Sequence, residues 1–128
     1  MNQQHRGPFF HVDSATSAGA CVIAAAGELD LASAPGLLQA LETAEGSMAE
    51  AVVLDLSGLT FVDSTGVRAV LQAVQASRAG DDKLRLRRGW AEPVRRVFEL
   101  VGVLDWLPFE GSDSGERPVA PGSPLAHG

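Results

Sequence analysis

A predicted strand that passes directly into a predicted helix dominates the centre of this sequence. The apolar run at residues 51–56 is followed by Asp63, Ser64 and Thr65, and a helical pattern of apolar side chains begins at Val67. Apolar residues at i, i+3, i+4 and i+7 are typical of an amphipathic helix. A strand that joins a helix through a short turn is half of a β–α–β crossover, so this stretch favours an α/β fold.

The rest of the chain continues this alternation. Strands are predicted at residues 9–12, 20–26, 51–56 and 84–88, and helices begin near Ser33, Ser64 and Pro93 and end at Gly46, Gly80 and Gly102. The continuous apolar run at 20–26 indicates a strand buried on both faces, ended by residues 27–30. Residues 14–19 are predicted to form a turn, and residues 104–109 an irregular segment or edge strand. The predicted fold is α/β, with a mixed, largely parallel sheet of four to five strands packed against helices.

Composition predicts one domain with flexible ends. The chain has 128 residues and is 45% hydrophobic, which is enough for a single packed core. Residues 1–8 are polar and contain a Gly-Pro pair, so we expect a flexible N-terminus. Residues 110–128 are rich in Gly, Ser, Pro and Asp, and we expect a disordered tail because they lack apolar mass. The domain is therefore predicted to span residues 9–109.

Charge and cysteine content exclude several classes of function. The net charge of −6 argues against direct binding of nucleic acid, which requires a basic face. No stretch has the length of a membrane span and no signal peptide is visible, so we expect a cytoplasmic protein that is not bound to a membrane. The single cysteine, Cys21, excludes an internal disulfide and a multi-cysteine metal site. We expect neither a metal nor a cofactor.

The turn before the central helix carries the candidate chemistry. Ser64 is either the N-cap of the helix or its first residue, and a capping role worth about 1 kcal/mol would by itself explain a serine there. Thr65 adds a second hydroxyl that one cap does not require. Gly66 removes a side chain from the first turn, so we expect a partner to approach the backbone closely there. Arg68 lies one turn after Ser64 and could reach a group attached to it.

A phosphate on Ser64 would alter binding without unfolding the helix. The N-terminus of a helix carries roughly half a positive charge and tolerates an anion. Phosphorylation would add about −1.5 to −2 charges beside Asp63. A pair of like charges about 4 Å apart repels by roughly 1 kcal/mol in water and about 4 kcal/mol near a protein surface. The affinity of a partner that covers this turn could therefore fall a hundredfold or more.

The spacing of these motifs resembles the STAS domain family. The resemblance covers about residues 9–109, and within the family it is greatest to the bacterial anti-sigma factor antagonists. It rests on the segments Gly27-Glu-Leu-Asp30, Val53-Leu-Asp-Leu-Ser-Gly-Leu-Thr-Phe-Val-Asp-Ser-Thr-Gly66, Val94-Arg-Arg-Val-Phe98 and Gly102-Val-Leu104. In that family a mixed sheet packs against helices, which agrees with the pattern above.

The resemblance implies a phosphorylation switch. Carried over to this chain, it makes Ser64 the phosphate acceptor, with Asp63 before it in the binding turn, Asp30 near the same surface and Thr65 at a position that is often Ser or Thr. The implied partners are an anti-sigma factor serine/threonine kinase, which the unphosphorylated form binds to release a sigma factor, and a serine/threonine phosphatase. The predicted partner-binding residues are Asp30, Asp63, Ser64, Thr65, Gly66 and Arg68.

Two other functions compete with the switch. A Ser-His-Asp hydrolase needs a histidine beside its nucleophile, but His5, His11 and His127 lie in predicted ends or on the opening strand. We therefore do not expect an enzyme. The second rival is a STAS scaffold that is never phosphorylated and serves as a subunit of a lipid-transport or stress-signalling complex. The sequence leaves open the oligomeric state and the modification of Thr65.

Overall fold

The computed structural model describes residues 4–7 and 9–111. In this part of the chain five strands and three helices alternate in the order β1, β2, β3, α1, β4, α2, β5, α3. The strands are β1 (Gln4–Gly7), β2 (Phe10–Ser17), β3 (Ala20–Leu29), β4 (Ala51–Val62) and β5 (Leu84–Arg87), and the helices are α1 (Ala34–Glu45), α2 (Ser64–Ala79) and α3 (Glu92–Val101).

One mixed sheet holds these strands in the spatial order β1-β2-β3-β4-β5. The pairs β1–β2 and β2–β3 are antiparallel, and the pairs β3–β4 and β4–β5 are parallel. The helices α1 and α2 form the crossovers between the parallel strands, as parallel pairing requires. The predicted mixed α/β sheet packed against helices is confirmed, and the parallel pairing brings the carboxyl ends of β3 and β4 to one edge.

The core lies between the sheet and the helices α1, α2 and α3, all of which contact its strands. On β3, Cys21, Ile23 and Ala25 are buried, whereas Val22 and Ala24 between them are only partly buried. The prediction that this strand is buried on both faces is therefore wrong. An apolar run does not require two covered faces here, because alanine is small and its partial exposure carries little penalty.

Three strands are longer than predicted. The turn predicted at residues 14–19 is wrong for its first four residues, because β2 continues to Ser17 and only Ala18 and Gly19 form the turn. The predicted break at residues 27–30 is also displaced, because β3 continues to Leu29. Gly27 makes this possible: its φ is +98°, and a Cβ there would collide with the carbonyl group of Phe9.

The strand β4 extends six residues beyond its predicted end at Leu56, to Val62. Its pairing with β3 shifts register twice, between Ala24 and Ala26 and between Gly27 and Glu28. Such bulges insert unpaired residues and bend a strand without ending it. Ser57 and Gly58 therefore belong to an irregular part of the strand and not to a turn.

The ends of the domain also differ from the prediction. Residues 1–8 were expected to be loosely held, yet Gln4–Gly7 pairs with β2, an arrangement of backbone groups that needs no apolar pattern. Residues 1–3 and 8 lie outside the described residues, as do residues 112–128 of the predicted tail. Phe109 forms an isolated bridge with Leu86, which agrees with the irregular segment or edge strand expected at 104–109.

Glu110 belongs to the folded domain and not to the tail. Its N–H donates to the Leu86 carbonyl at 2.8 Å, and its carboxylate accepts from Arg87 Nε at 2.8 Å. This hydrogen bond to Glu110 raises the pKa of the Arg87 guanidinium. The pair connects the last described residues to β5.

Candidate functional site

The predicted site residues meet at the carboxyl ends of β3 and β4. Leu29 and Val62 are register partners at these ends, and the N–H of Asp63 donates to the Leu29 carbonyl at 3.3 Å. Asp30 and Asp63 are the residues that directly follow this last pair. The structure therefore brings together two carboxylates that are 33 positions apart in the sequence, next to the start of α2. We call this edge, formed by Asp30, Asp63, Ser64 and Thr65, the 30/63 edge.

Asp63 is the N-cap of α2. Its backbone is extended, with φ −113° and ψ −174°, and its Oδ1 accepts the N–H of Gly66 at 2.9 Å. Its carbonyl accepts the N–H of Val67 at 3.0 Å. An aspartate in this position both satisfies a free N–H group and places negative charge at the positive end of the helix. The alternative left open by the sequence is thereby decided: Ser64 is the first residue of the helix.

Because Asp63 caps the helix, Ser64 has no capping role. It is exposed, and among the described residues its hydroxyl has no hydrogen-bond partner. Thr65, directly after it, is partly buried. Helical geometry leaves the N–H groups of Ser64 and Thr65 without intrahelical acceptors, since the residues four positions earlier lie in β4. The site thus combines an accessible alcohol with nearby N–H groups that are available to an anion.

Arg68 lies one turn further along α2. It is exposed, and within the part of the chain that the structure describes its guanidinium takes part in no ion pair or hydrogen bond. Residues at i and i+4 share a helix face, so Arg68 is available to a charged group on Ser64. The location of Arg68 one turn after Ser64 agrees with the position predicted from the sequence.

Gly66 is required by packing inside the domain. It is buried, and a Cβ at this position would lie 2.6 Å from the Leu29 carbonyl oxygen and 2.7 Å from Val62 Cγ2. The space that the missing side chain leaves is occupied by the ends of β3 and β4 and is not open to a partner. The predicted reason for the glycine is therefore wrong, because the sequence does not show what faces a helical glycine, whereas contact of Gly66 with a partner stays a prediction.

Asp30 organises the turn from β3 to α1. Its Oδ1 accepts the N–H groups of Ala32 at 3.0 Å and Ser33 at 3.1 Å. Ser33 was predicted to cap α1, and it occupies the N-cap position, but its hydroxyl makes no cap hydrogen bond. That hydroxyl instead donates to the Glu28 carbonyl at 2.8 Å and accepts the N–H of Asp30 at 2.9 Å. Asp30 is partly buried and is fixed at the same edge as Asp63.

Sequence reasoning missed three apolar residues near the 30/63 edge. Phe9, Leu31 and Phe61 are exposed although they are large and hydrophobic. Phe61 lies in β4 directly before the buried Val62, and Leu31 directly follows Asp30. Phe9 stands in the predicted strand at 9–12, where an aromatic residue is normally assigned to the core, whereas Phe61 lies beyond the predicted strand at 51–56. The only signal in the sequence was that Phe61 and Val62 are adjacent, so both cannot face the same side of an extended strand.

Other kinds of site find little support in the described residues. His11 bonds to Asp13 at 2.6 Å, and β3 separates its strand from β4 and Ser64. The residues that the structure describes contain no group of three or more His, Cys, Asp or Glu side chains arranged to hold a metal ion. Among the same residues no helix has both the length and the apolar character needed to cross a membrane.

Comparison with known proteins identifies a family and a relative of this chain. The family model of the STAS domain matches residues 11–113. An anti-sigma-B factor antagonist of Listeria monocytogenes is 31% identical over 95 residues, which cover 72% of this chain and 82% of that protein.

Similar folds are found among solved structures. The crystal structure of an anti-sigma factor antagonist from Mycobacterium paratuberculosis has a TM-score of 0.68 at 23% identity, with 84% of this chain and 92% of that chain covered. The Bacillus cell fate determinant SpoIIAA in its phosphorylated form has a TM-score of 0.53 at 22% identity, covering 80% of this chain and 85% of that chain.

Proposed function

The chain belongs to the STAS domain family, and on that premise we propose that it is an anti-sigma factor antagonist controlled by phosphorylation of Ser64. In this proposal the unphosphorylated form binds an anti-sigma factor serine kinase and thereby releases a sigma factor. The observation that carries the proposal is the separation of roles in the central turn. Asp63 caps α2, while Ser64 stands exposed on the first turn with no structural bond to lose.

The comparisons support the class of function. The similar Listeria protein is named an antagonist of an anti-sigma factor, and SpoIIAA has been solved in a phosphorylated form. Such antagonists are regulators, so we propose that this chain has no catalytic activity of its own. ATP and the catalytic groups would belong to the kinase, because the sequence has no glycine-rich nucleotide loop.

The proposed covalent step adds one phosphoryl group. The Ser64 Oγ attacks the γ-phosphorus of ATP held by the kinase, the bond to the β-phosphate oxygen breaks, and the hydroxyl proton passes to a base of the kinase as ADP leaves. The new dianion lies beside the N–H groups that begin α2 and one turn from Arg68, so the helix accommodates it. A serine/threonine phosphatase would restore the hydroxyl by hydrolysis of the ester.

The phosphate changes the charge of the docking edge. Asp30 and Asp63 already place two carboxylates there, and phosphorylation adds about −1.5 to −2 charges at neutral pH. Repulsion of roughly 1–4 kcal/mol for each pair of like charges at about 4 Å would oppose any partner that covers this edge with acidic groups. A partner that buries Ser64 tightly would in addition have to desolvate the dianion. We expect a hundredfold or greater loss of affinity.

Phosphate transfer from ATP tests the proposal directly. Each anti-sigma factor kinase encoded in the source genome is purified and incubated with the chain and ATP, and the central peptide is examined by mass spectrometry. We expect one phosphate on Ser64, none in Ser64→Ala, and normal transfer to the control Thr65→Ala. Phosphate on Thr65 alone, or on no residue with any kinase, would contradict the switch.

Binding measurements separate the switch from the scaffold alternative. By calorimetry we expect Ser64→Ala to bind the kinase as tightly as the unmodified chain, and Ser64→Glu to bind weakly while keeping its circular dichroism spectrum. Tight binding of Ser64→Glu would argue against electrostatic control. A chain that binds no kinase but is recovered with transport or stress-complex subunits would support the unphosphorylated scaffold instead.

A further inference from the structure

A cavity of about 350 Å³ lies beyond the carboxyl end of β5, and neither the fold nor the proposed phosphorylation gives it a role. We call it the β5–α3 cavity. Arg88, Gly89 and Trp90, which follow β5 directly, line one part of it, and Arg95 of α3 and residues of the segment 104–109 line the rest. Residues that follow the carboxyl ends of parallel strands commonly line ligand sites in α/β proteins, and pockets for small molecules begin at about 300 Å³. The position and the size of this cavity therefore suit a small ligand.

One side of the β5–α3 cavity is aromatic. The ring centroid of Trp90 lies 4.7 Å from that of Phe98 and 5.4 Å from that of Phe109. The indole Nε1 of Trp90 donates to the Arg87 carbonyl at 2.8 Å, so both packing and a hydrogen bond hold this ring in place. Trp90 is only partly buried, and it lines the cavity together with Phe109. A fixed aromatic surface of this kind favours contact with a flat apolar group.

Arg88 supplies hydrogen-bond donors beside this aromatic surface. Its Cζ lies 4.4 Å from the centroid of the Phe109 ring, which limits the positions that the guanidinium can take. Within the described part of the chain Arg88 makes no hydrogen bond and no ion pair, so its N–H groups have no acceptor there. A guanidinium binds a carboxylate through two parallel N–H groups. Arg88 is therefore suited to the anionic group of a ligand whose ring lies against Trp90.

Arg95 and Asp105 determine how much negative charge the cavity accepts. Arg95 forms ion pairs with Glu92 and Glu99 at 3.7 Å and 3.6 Å, longer than the roughly 2.7–2.9 Å of a charge-assisted hydrogen bond. All three side chains are exposed, and exposed pairs of this kind contribute little, so a ligand can replace them. Asp105 places a carboxylate in the same lining. Two guanidinium groups and one carboxylate leave a net charge of about +1, which favours a ligand with one negative charge over a ligand with two.

We propose that the β5–α3 cavity binds a small molecule that combines a flat apolar ring with a single carboxylate. The ring lies against Trp90 and Phe109, and the carboxylate accepts N–H groups of Arg88 and Arg95. Asp105 disfavours a second anionic group on the same molecule. The proposal uses neither Ser64 nor the rest of the 30/63 edge, so it goes beyond the proposed function and is independent of it.

Titration of the isotope-labelled full chain with naphthoate, followed by NMR, tests the proposal. The chain has two tryptophans, and the buried Trp106 is an internal control because it does not line the cavity. We expect a saturable shift of the Trp90 indole signal, which is identified by its loss in Trp90→Phe, and a smaller shift of the Trp106 signal. Naphthamide has the same shape without the charge, and a naphthalene dicarboxylate adds a second charge. Each should bind at least about fivefold more weakly than naphthoate.

Arginine substitutions test which charges bind the carboxylate. We expect Arg88→Gln to weaken naphthoate binding by about tenfold and to leave naphthamide binding unchanged. Arg95→Gln should act in the same direction, and it remains informative if Arg88→Gln disturbs Phe109. Arg96→Gln is the matched control, because Arg96 is the next residue on α3, is exposed and does not line the cavity. It should bind naphthoate with unchanged affinity.

Three results would overturn the proposal. The first is equal binding of naphthoate and naphthamide, which would show that the charge is not recognised. The second is equal loss of naphthoate binding in Arg95→Gln and Arg96→Gln, which would show an effect of overall charge only. The third is shifts confined to Leu38 and Ala73, in the groove of about 520 Å³ between α1 and α2, whose described lining contains no positive side chain. Phosphate transfer to Ser64 would be unaffected in each case, so this proposal and the switch fail separately.

Discussion

Replacing Gly66 by alanine is the sharpest test of how the 30/63 edge is built. The added Cβ would lie 2.6 Å from the Leu29 carbonyl oxygen, 2.7 Å from Val62 Cγ2 and 2.9 Å from Leu29 Cγ. Real Cβ contacts are longer than 3.0 Å, so some group must move. The carbonyl is backbone and also accepts the N–H of Asp63 at 3.3 Å. It cannot move without displacing the end of β3, the capping residue, or both.

The expected loss of stability follows from two opposing effects. Inserting a methyl group into a packed contact destabilises a protein by roughly 1–3 kcal/mol. Alanine favours a helix over glycine by up to about 1 kcal/mol, and by less in the first turn. The net expectation is a decrease of about 1–2 kcal/mol in the free energy of unfolding, which corresponds to a melting temperature lower by about 4–16 °C for a domain of roughly 100 residues.

Urea unfolding followed by circular dichroism measures this decrease. We expect a lower midpoint with an unchanged m-value, since the surface exposed on unfolding stays the same. Gly46→Ala is the matched control: Gly46 ends α1 with φ −84°, and the nearest atom to its added Cβ is 3.6 Å away. It should change stability by less than about 0.5 kcal/mol. A Gly66→Ala variant as stable as the unmodified chain would refute the close packing of α2 on β3.

Three further predictions concern the same edge and the end of the domain. Asp63→Ala should lower the free energy of unfolding by about 1 kcal/mol and Ser64→Ala by less than about 0.5 kcal/mol, because only Asp63 caps α2; equal losses in urea titrations would contradict this assignment. Arg68→Ala should lower the melting temperature of the phosphorylated chain more than that of the unphosphorylated chain, and equal shifts would remove Arg68 from the anion site. A chain that ends at residue 109 should be less stable in calorimetry than one that ends at 111, by at most about 1 kcal/mol, because it lacks the partly exposed Glu110 ion pair; no difference would show that Glu110 contributes nothing.

The sequence predicts the central turn well because its signals are local. The strand, the polar turn and the apolar face of α2 all follow from spacing, and the predicted class of fold is confirmed. The identity of the cap does not follow, because Asp63 and Ser64 are adjacent and both side chains can accept an N–H group. Only the observed contact between Asp63 Oδ1 and the Gly66 N–H decides between them.

The true length of β4 is harder to predict from the sequence. Ser57 and Gly58 have the composition of a turn, and period-two alternation is lost where a strand bulges. A Cβ at Gly58 would lie 2.9 Å from the Ala26 Cβ, so this glycine is explained by close approach of two strands. The neighbour that makes it necessary is on β3, far away in sequence, and no local pattern reveals it.

The role of Gly66 and the exposure of Phe61 could not be predicted for the same reason. Each depends on what faces the residue across the fold: the end of β3 for Gly66, and solvent for Phe61. Asp30 and Asp63 were placed near one surface by resemblance alone. The parallel register of Leu29 with Val62 supplies the physical cause.

The neighbouring residues Asp63 and Ser64 have separate roles: Asp63 holds the start of α2, and in the proposed switch Ser64 carries the signal. Because the Asp63 carboxylate caps α2 whether or not Ser64 is modified, the Ser64 hydroxyl can in the proposed switch be phosphorylated and dephosphorylated without unfolding of the helix. In the proposed switch, a phosphate on Ser64 would break no hydrogen bond of the folded chain, so the fold itself would not drive its removal. In the proposed switch, the lifetime of the phosphate would therefore be set by the kinase and the phosphatase and not by the fold of this chain.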